Sequence, residues 1–257
     1  MKPLLKKVFP KSTRGHLRSS AESMSKGLNR FLFRAFYFPL HRLTGGGDKL
    51  MCILFEEQDL SAELIIRAYQ QGMYVSPDEK TGVPRWYNPD VRGILPTEDF
   101  HISKSLKKLV RKDKFEIRVN SDFGGVIRGC AERQSTWITP KVIAIYEKLY
   151  EMGVAHSIET WLDGELVGGL YGVAIGSFFS GESQFHRVND AGKVATAYLL
   201  ETLKANGFML HDCQGKSKFL TQFGSIEIPR QEYQNRLTHA LIKPASFEII
   251  PEKLYQV

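Results

Sequence analysis

The sequence predicts an α+β fold with a mixed sheet, on three observations. Residues 154–182 read as successive strands joined by two tight turns, the pattern of an antiparallel meander. Residues 190–228 then switch between helix and strand periodicity. At 42% hydrophobic and 25% charged over 257 residues, the composition is that of a globular chain, long enough for one large domain or two small ones. A meander followed by strand–helix alternation layers helices on a sheet with antiparallel and parallel pairs.

Charge divides the chain. Residues 1–50 carry 11 Lys/Arg against Glu22 and Asp48, a net +9, while the remainder nets −2. Residues 1–47 read as a basic leader and linker, a candidate for disorder. Such a segment suits phosphates or a membrane surface, an organellar targeting peptide, or a leader with no specific role. Arg30–Leu40 reads as an amphipathic helix that Pro39 stops, and Thr44-Gly45-Gly46-Gly47-Asp48 as a linker. The folded body is expected from residue 48, with a small N-terminal α/β domain over 48–120 and a mixed-sheet domain over 121–257.

Within that body, Asp59–Gln71 reads as a helix with Asp59 or Ser61 as cap, a Leu64/Ile65/Ala68/Tyr69 stripe, and Gly72 as stop. Prolines 77, 84, 89 and 96 break the next stretch into loops and short strands. His101–Lys112 is expected as a basic helix, Phe115–Val119 as a strand, and Ser121–Glu132 as a helix. Thr139-Pro140 is a helix start, a capping hydroxyl followed by proline at the first position. Val154–Leu162, Glu165–Ile175 and Ser177–Glu182 form the meander, with Asp163-Gly164 suited to a type I′ turn. Asp190 is expected to cap a helix to Asn206. Phe208–Cys213, Lys216–Phe223 and Ser225–Ile228 follow as strand, short helix and strand.

Three cysteines without a C-x-x-C pair exclude a disulfide scaffold and a zinc ribbon, and fit a reducing compartment. No uncharged apolar run approaches 18 residues, which excludes a helical membrane span. Four stretches carry candidate chemistry. His211-Asp212-Cys213-Gln214 ends a strand, and in a regular strand Asp212 and Gln214 share one face and His211 and Cys213 the other. A carboxylate beside an amide can accept a proton, orient the amide, or stabilise an oxyanion; the same pair also serves as turn residues. Gly181–Arg187 places Glu182, His186 and Arg187 in a polar loop. Trp137, just before the Thr139 cap, can stack on a nucleobase or pack as a lid. Lys104, Lys107, Lys108 and Arg111 fall on one helix side, suited to a phosphate backbone or to solvent.

The segments DLSAELIIRAYQQG, PRWYNPDVRGILP, HISKSLKKLVRK, TWITPKVIAIYEKLYEMGVAHSIE, GELVGGLYGVAIG, GESQFHR, DCQ and GSIEIPR occur in this order from about residue 58 to residue 237. Together they resemble the leucyl/phenylalanyl-tRNA–protein transferase family. The resemblance implies a small N-terminal domain packed on a GNAT-like acyltransferase domain. It implies transfer of Leu, Phe or a related residue from charged tRNA to the α-amine of acceptor proteins beginning with Arg or Lys, which creates an N-degron. A cytoplasmic monomer without cofactor or metal is expected, or an organellar one if residues 1–50 are a targeting peptide. By resemblance, Asp212, Gln214 and Glu182 are catalytic. Trp137, Leu170, Ser183, Phe185, Leu199, Leu203 and His211 bind substrate, and Lys104, Lys107, Lys108 and Arg111 bind tRNA.

The chemistry is coherent. An aminoacyl ester is already activated, so no ATP site is needed, and the sequence has no P-loop. An α-amine titrates near about 7.7–8.0, so part of it is neutral at cellular pH. Alignment, oxyanion stabilisation and proton removal remain to be supplied. This requires the Asp212–Gln214 couple to face an open cleft. The chain departs from the family's pattern at four places. Gly72-Met73-Tyr74-Val75-Ser76 stands for Gly-Ile-Phe-Pro-Trp, and Gln184 and His186 for Met and Ser. Phe219 replaces a His, and His211 an aliphatic residue.

Three other readings compete. A GNAT-type acetyltransferase using an acyl-CoA needs small residues around Arg187–Gly192, where Asp190 faces the anion. A cysteine hydrolase would pair Cys213 with His186 or His156. A non-catalytic tRNA- or degron-binding relative is motivated by Ser76.

Overall fold

The structure is a computed structural model that describes residues 53–54, 60–77, 84–133, 136–248, 251 and 254–255. The expected leader, the Arg30–Leu40 helix, the linker at 44–48, Cys52 and the Asp59 cap lie outside the described residues. Lys49–Val257 form one compact unit.

Two sheets are present among the described residues. The smaller joins β1 (Ile53–Leu54), β2 (Tyr74–Pro77) and β3 (Pro84–Tyr87) in the order β1-β3-β2. The larger holds β4 (Val91–Leu95), β5 (Glu116–Val119), β6 (Ala155–Leu162), β7 (Glu165–Ile175), β8 (Phe178–His186), β9 (Leu210–Gln214) and β10 (Ile226–Pro229). Its order is β10-β4-β9-β8-β7-β6-β5, antiparallel throughout except for the parallel pair β8–β9. The α+β class and mixed sheet are thus as expected. β4 and β5 both come from the 48–120 stretch, so the large sheet draws strands from either side of residue 120.

The helices are α1 (Ala62–Gln70), α2 (Lys104–Val110), α3 (Phe123–Ala131), α4 (Pro140–Glu151), α5 (Ala191–Ala205), α6 (Lys218–Thr221) and α7 (Arg230–Ile242). Ser61 caps α1 by accepting from the Leu64 amide, and Thr139 caps α4 by accepting from Val142. The basic helix is shorter than expected, because Ser103 caps it and it ends at Val110. Asp190 stands at the N-cap position of α5, as expected, but without a side-chain cap. Its backbone sits at φ 69°, and it pairs with Lys193 at 2.8 Å instead. Among the described residues, no helix is long and apolar enough to cross a membrane.

The meander forms as read, and Asp163 and Gly164 both take positive φ (52° and 82°), as a type I′ turn requires. Strand alternation gives the sheet two faces. Leu170 on β7 joins Leu199, Leu200 and Leu203 of α5 in one apolar cluster. Its neighbour Tyr171 points the other way, edge-on to Phe123 of α3 and Tyr146 of α4. β8 runs on to His186, so the polar stretch expected as a loop is strand. That strand carries a bulge, because Tyr171 pairs with Ser183 but Gly172 with Gly181, leaving Glu182 as the extra residue.

Candidate active site

The parallel pairing of β8 and β9 ends at Ser180–Asp212, while β8 continues to His186. The candidate catalytic residues gather where the two strands part.

Asp212 is 0% exposed and its carboxylate is saturated. Arg92 of β4 donates from Nε to Oδ1 at 2.9 Å and from Nη2 to Oδ2 at 2.6 Å. Tyr233 of α7 donates its hydroxyl to Oδ2 at 2.8 Å, and the Gln214 backbone N–H donates to Oδ1 at 2.7 Å. Arg92 is itself buried, lies over the rings of Tyr74 and Tyr233, and reaches the Gly72 carbonyl at 3.0 Å. Burial works against its charge, but Asp212 and Tyr233 outweigh it and hold the guanidinium above its ordinary range. The carboxylate is thus held by a bidentate cation and two further donors.

Gln214 does not continue the regular strand. It stands at φ 64°, opposite Gly93, where the β4–β9 register shifts. A Cβ at Gly93 would lie 2.7 Å from the Gly215 carbonyl carbon, so only glycine admits this close approach. The expected shared face of Asp212 and Gln214 is therefore replaced by a backbone turn. Asp212 fixes Gln214 through its N–H, and the half-buried Gln214 amide keeps only a long 3.4 Å contact to the Gly181 carbonyl. Of the expected couple, the acid is fully buried and the amide half-buried.

Glu182 is held differently. Tyr69 of α1 donates to Oε1 at 2.6 Å and Tyr146 of α4 to Oε2 at 3.0 Å. No Lys, Arg or His pairs with it among the described residues. Desolvation pushes its carboxyl up to about 7, against the two phenols that pull it down. Trp137 reaches this group through Tyr146, edge-on with ring centroids 6.4 Å apart.

The remaining expected residues are divided between the two sheet faces. Ser183 accepts from Arg133 at 3.2 Å, and Phe185 packs under Arg187, on the side of α3. A Cβ at Gly129 of α3 would lie 2.7 Å from the Phe185 ring. Leu170, Leu199 and Leu203 lie in the α5 cluster, where His211 packs edge-on to Phe179. Burial pushes the His211 imidazole down to about 4, so it is neutral. Lys104, Lys108 and Arg111 are exposed, whereas Lys107 is half-buried over the Tyr255 ring. A groove of about 200 Å³ lined by Thr97, Met209, His211 and Arg236 lies nearby and includes neither Glu182 nor Gln214.

The cysteine reading is not supported. Burial raises the Cys213 thiol far above its ordinary range, His156 stacks on Phe247, and His186 is exposed. No group of three His, Cys, Asp or Glu side chains suits a metal among the described residues. Four site residues were missed from sequence, namely Arg92, Tyr233, Tyr69 and Tyr146. Arg92 stood within PRWYNPDVRGILP as a lone charge in a strand pattern. Tyr233 lies on α7, whose Tyr233, Leu237, Ala240 and Leu241 spacing was the available signal.

Comparison with known proteins places this arrangement. The family model for leucyl/phenylalanyl-tRNA protein transferase matches residues 94–238. A protein of that name from Gloeobacter violaceus is 47% identical over 73% of this chain and 97% of its own length. Its namesake from Herpetosiphon aurantiacus is 45% identical over 73% and 98%, and that from Salinibacter ruber 44% identical over 71% and 81%. A solved C-terminal DUF2156 domain of a putative lysylphosphatidylglycerol synthetase from Agrobacterium fabrum aligns at TM-score 0.35 and 8% identity, covering 70% of this chain and 57% of its own, a level that carries no argument. The 94–238 match spans the whole Glu182–Asp212–Gln214 cluster, and on these findings the chain belongs to the leucyl/phenylalanyl-tRNA–protein transferase family.

Proposed function

We propose that this protein transfers an aminoacyl group, Leu, Phe or a related residue, from charged tRNA to the α-amine of acceptor proteins beginning with Arg or Lys. The observation that carries this is a carboxyl, Glu182, held by two phenols and no cation, next in sequence to the Gly181 carbonyl that the lightly held Gln214 amide contacts, at the parting of β8 and β9. The acceptor amine attacks the ester carbonyl, and the electron pair moves to an oxyanion that the Gln214 amide stabilises by donating. Glu182 attracts the cationic acceptor and takes the amine proton as the new amide bond forms. Collapse expels the ribose oxygen, which is protonated as tRNA leaves.

Asp212 touches neither partner on this reading. It is a positioning residue that sets the Gln214 backbone. Lys104, Lys108 and Arg111 offer exposed charge for acceptor-arm phosphates, without reading sequence. The GNAT-like character of the domain, a functional division near residue 120, the monomeric state and a cytoplasmic or organellar location belong to the same proposal. The mixed sheet with its β8–β9 junction supports the first of these.

The experiment is transfer of labelled amino acid from charged tRNA to an Arg-initiated peptide, with wild type beside Gln214→Ala. Transfer by wild type that falls about 10²-fold or more in the variant supports the reading, the usual cost of an oxyanion donor. Tight tRNA or peptide binding without transfer from any charged tRNA would instead favour a non-catalytic binding protein.

A further inference from the structure

Arg92 reaches further than the acid it pairs with. All three guanidinium nitrogens are committed: Nε and Nη2 to the two oxygens of Asp212, and Nη1 to the Gly72 carbonyl at 3.0 Å. The group lies over the Tyr74 and Tyr233 rings, 4.3 and 4.6 Å from their centroids.

Gly72 is the corner between α1 and β2. Its φ is 78°, and its N–H donates to the Tyr69 carbonyl at 2.9 Å. The corner is pressed onto α7. A Cβ on Gly72 would lie 2.3 Å from Gln234 Nε2 and 3.1 Å from Tyr233, and Gln234 donates to the Gln71 carbonyl at 3.1 Å. Tyr69, on the last turn of α1, donates to Glu182 at 2.6 Å. The second phenol on Glu182 has a separate anchor. Tyr146 belongs to the buried Val142, Ile145, Tyr146 and Leu149 stripe of α4 and packs edge-on against Tyr171. One cation thus touches both arms of the site. Through Asp212 it meets the Gln214 backbone, and through Gly72 it meets the end of the helix that carries Tyr69.

Resting on the aminoacyl-transfer reading, we propose that Arg92 is a positioning residue that couples the two arms, setting the Gln214 amide and the Tyr69 hydroxyl relative to each other. The planar fork is what this needs. Lysine carries the same charge on a single nitrogen and cannot reproduce three separate, coplanar donors. Arg92→Lys therefore keeps the charge and releases the corner. The groups that face Glu182 are Tyr69 of α1, Tyr146 of α4, the Tyr171 phenol of β7 and the Asp212 carboxylate of β9. With the charge kept, the change Glu182 meets is a loosened Tyr69 donor. An anion with one donor fewer is less stable, so the carboxyl midpoint rises.

The test follows the Glu182 carboxyl in the full chain by NMR of carboxyl-labelled glutamate, assigned with Glu182→Gln. Wild type, Arg92→Lys, Tyr69→Phe and the double variant are compared, and transfer from charged tRNA is measured in parallel. Each single variant should raise the midpoint by about 0.7 of a pH unit, the equivalent of one neutral hydrogen bond. The double variant should rise no further than Tyr69→Phe alone, because both changes act through one hydroxyl. In Arg92→Lys kcat should fall with KM for charged tRNA unchanged. An unmoved midpoint in Arg92→Lys, or shifts that add in the double variant, would overturn the coupling, since α1 would then hold Tyr69 by its own packing. Should Arg92→Lys not fold, Gly72→Ala reads the same arm by pushing the corner off α7. Its midpoint should also rise without adding to that of Tyr69→Phe, and an unmoved or additive midpoint there overturns the proposal equally. The expected midpoints with no transfer by wild type from any charged tRNA would leave the coupling assigned and remove the transferase reading instead.

Discussion

Asp212 and Glu182 project from the same face of adjacent strands, yet their surroundings are opposites. Asp212 meets a bidentate guanidinium, a phenol and a backbone amide, while Glu182 meets two phenols and no cation. A further carboxylate, Glu159, is buried like Asp212 and resembles it in being saturated. It takes the Ser121 and Asp122 amides, the Ser157 hydroxyl and the Trp161 indole, and so anchors the start of α3. Full satisfaction makes a carboxylate part of the scaffold, and incomplete satisfaction leaves it chemically available. By that measure Asp212 belongs with the scaffold, and Glu182 is the less fully held of the two.

The largest effect should come from breaking the saturated member. Asp212→Ala strands the Arg92 guanidinium in the interior and should cost about 3–5 kcal/mol in urea unfolding, with transfer abolished as Gln214 loses its anchor. Wild-type stability in this variant would end the distinction between the two acids.

Next comes Glu182→Gln, which should keep the fold and lower transfer by about 10²-fold. The folded carboxyl titrates at about 7, against 4.5 for an ordinary glutamate. Its stabilising contribution is therefore full below about pH 4.5 and disappears as pH rises through about 7, where burying the anion becomes costly. Denaturation across this window should slope downward in wild type and be flatter in the variant. The transfer rate should rise through about pH 7 in wild type only.

A smaller change tunes the available acid without removing it. Tyr146→Phe deletes a donor to the Glu182 anion, so the midpoint of the pH–rate profile should move upward, with a stability decrease of about 1 kcal/mol. A downward shift would place the phenol's influence on the neutral form instead. Least disruptive is neutralising Lys104, Lys108 and Arg111. It should reduce the salt slope of tRNA binding by about 0.7–0.9 for each phosphate left without its cation, and leave the Glu182 midpoint in place.

What the sequence made legible was local. The Ser61 and Thr139 caps, the Asp163-Gly164 turn and the meander each depend on neighbours within a few residues. Asp212, Gln214 and Glu182 were legible as candidates because their residue types announce polar chemistry. Their division of labour was not, because it rests on Arg92, 120 positions from Asp212, and on Tyr233, 21 positions beyond it. β8 was cut short at Glu182 because GESQFH is too polar to read as an inner strand. Its bulge and the phenols of α1 and α4 make that polarity tolerable. Asp190 looked like a cap by residue type, but its left-handed backbone turns the side chain toward Lys193.

The Arg92 guanidinium ties together the Gly72 carbonyl, Asp212 and, at 3.4 Å, the Tyr233 hydroxyl. Closing that knot requires segments separated by most of the chain, and such distant contacts form late. A nascent polypeptide emerging from the ribosome has Arg92 long before it has residue 233. The knot therefore cannot close before the segment that carries Tyr233 has been made.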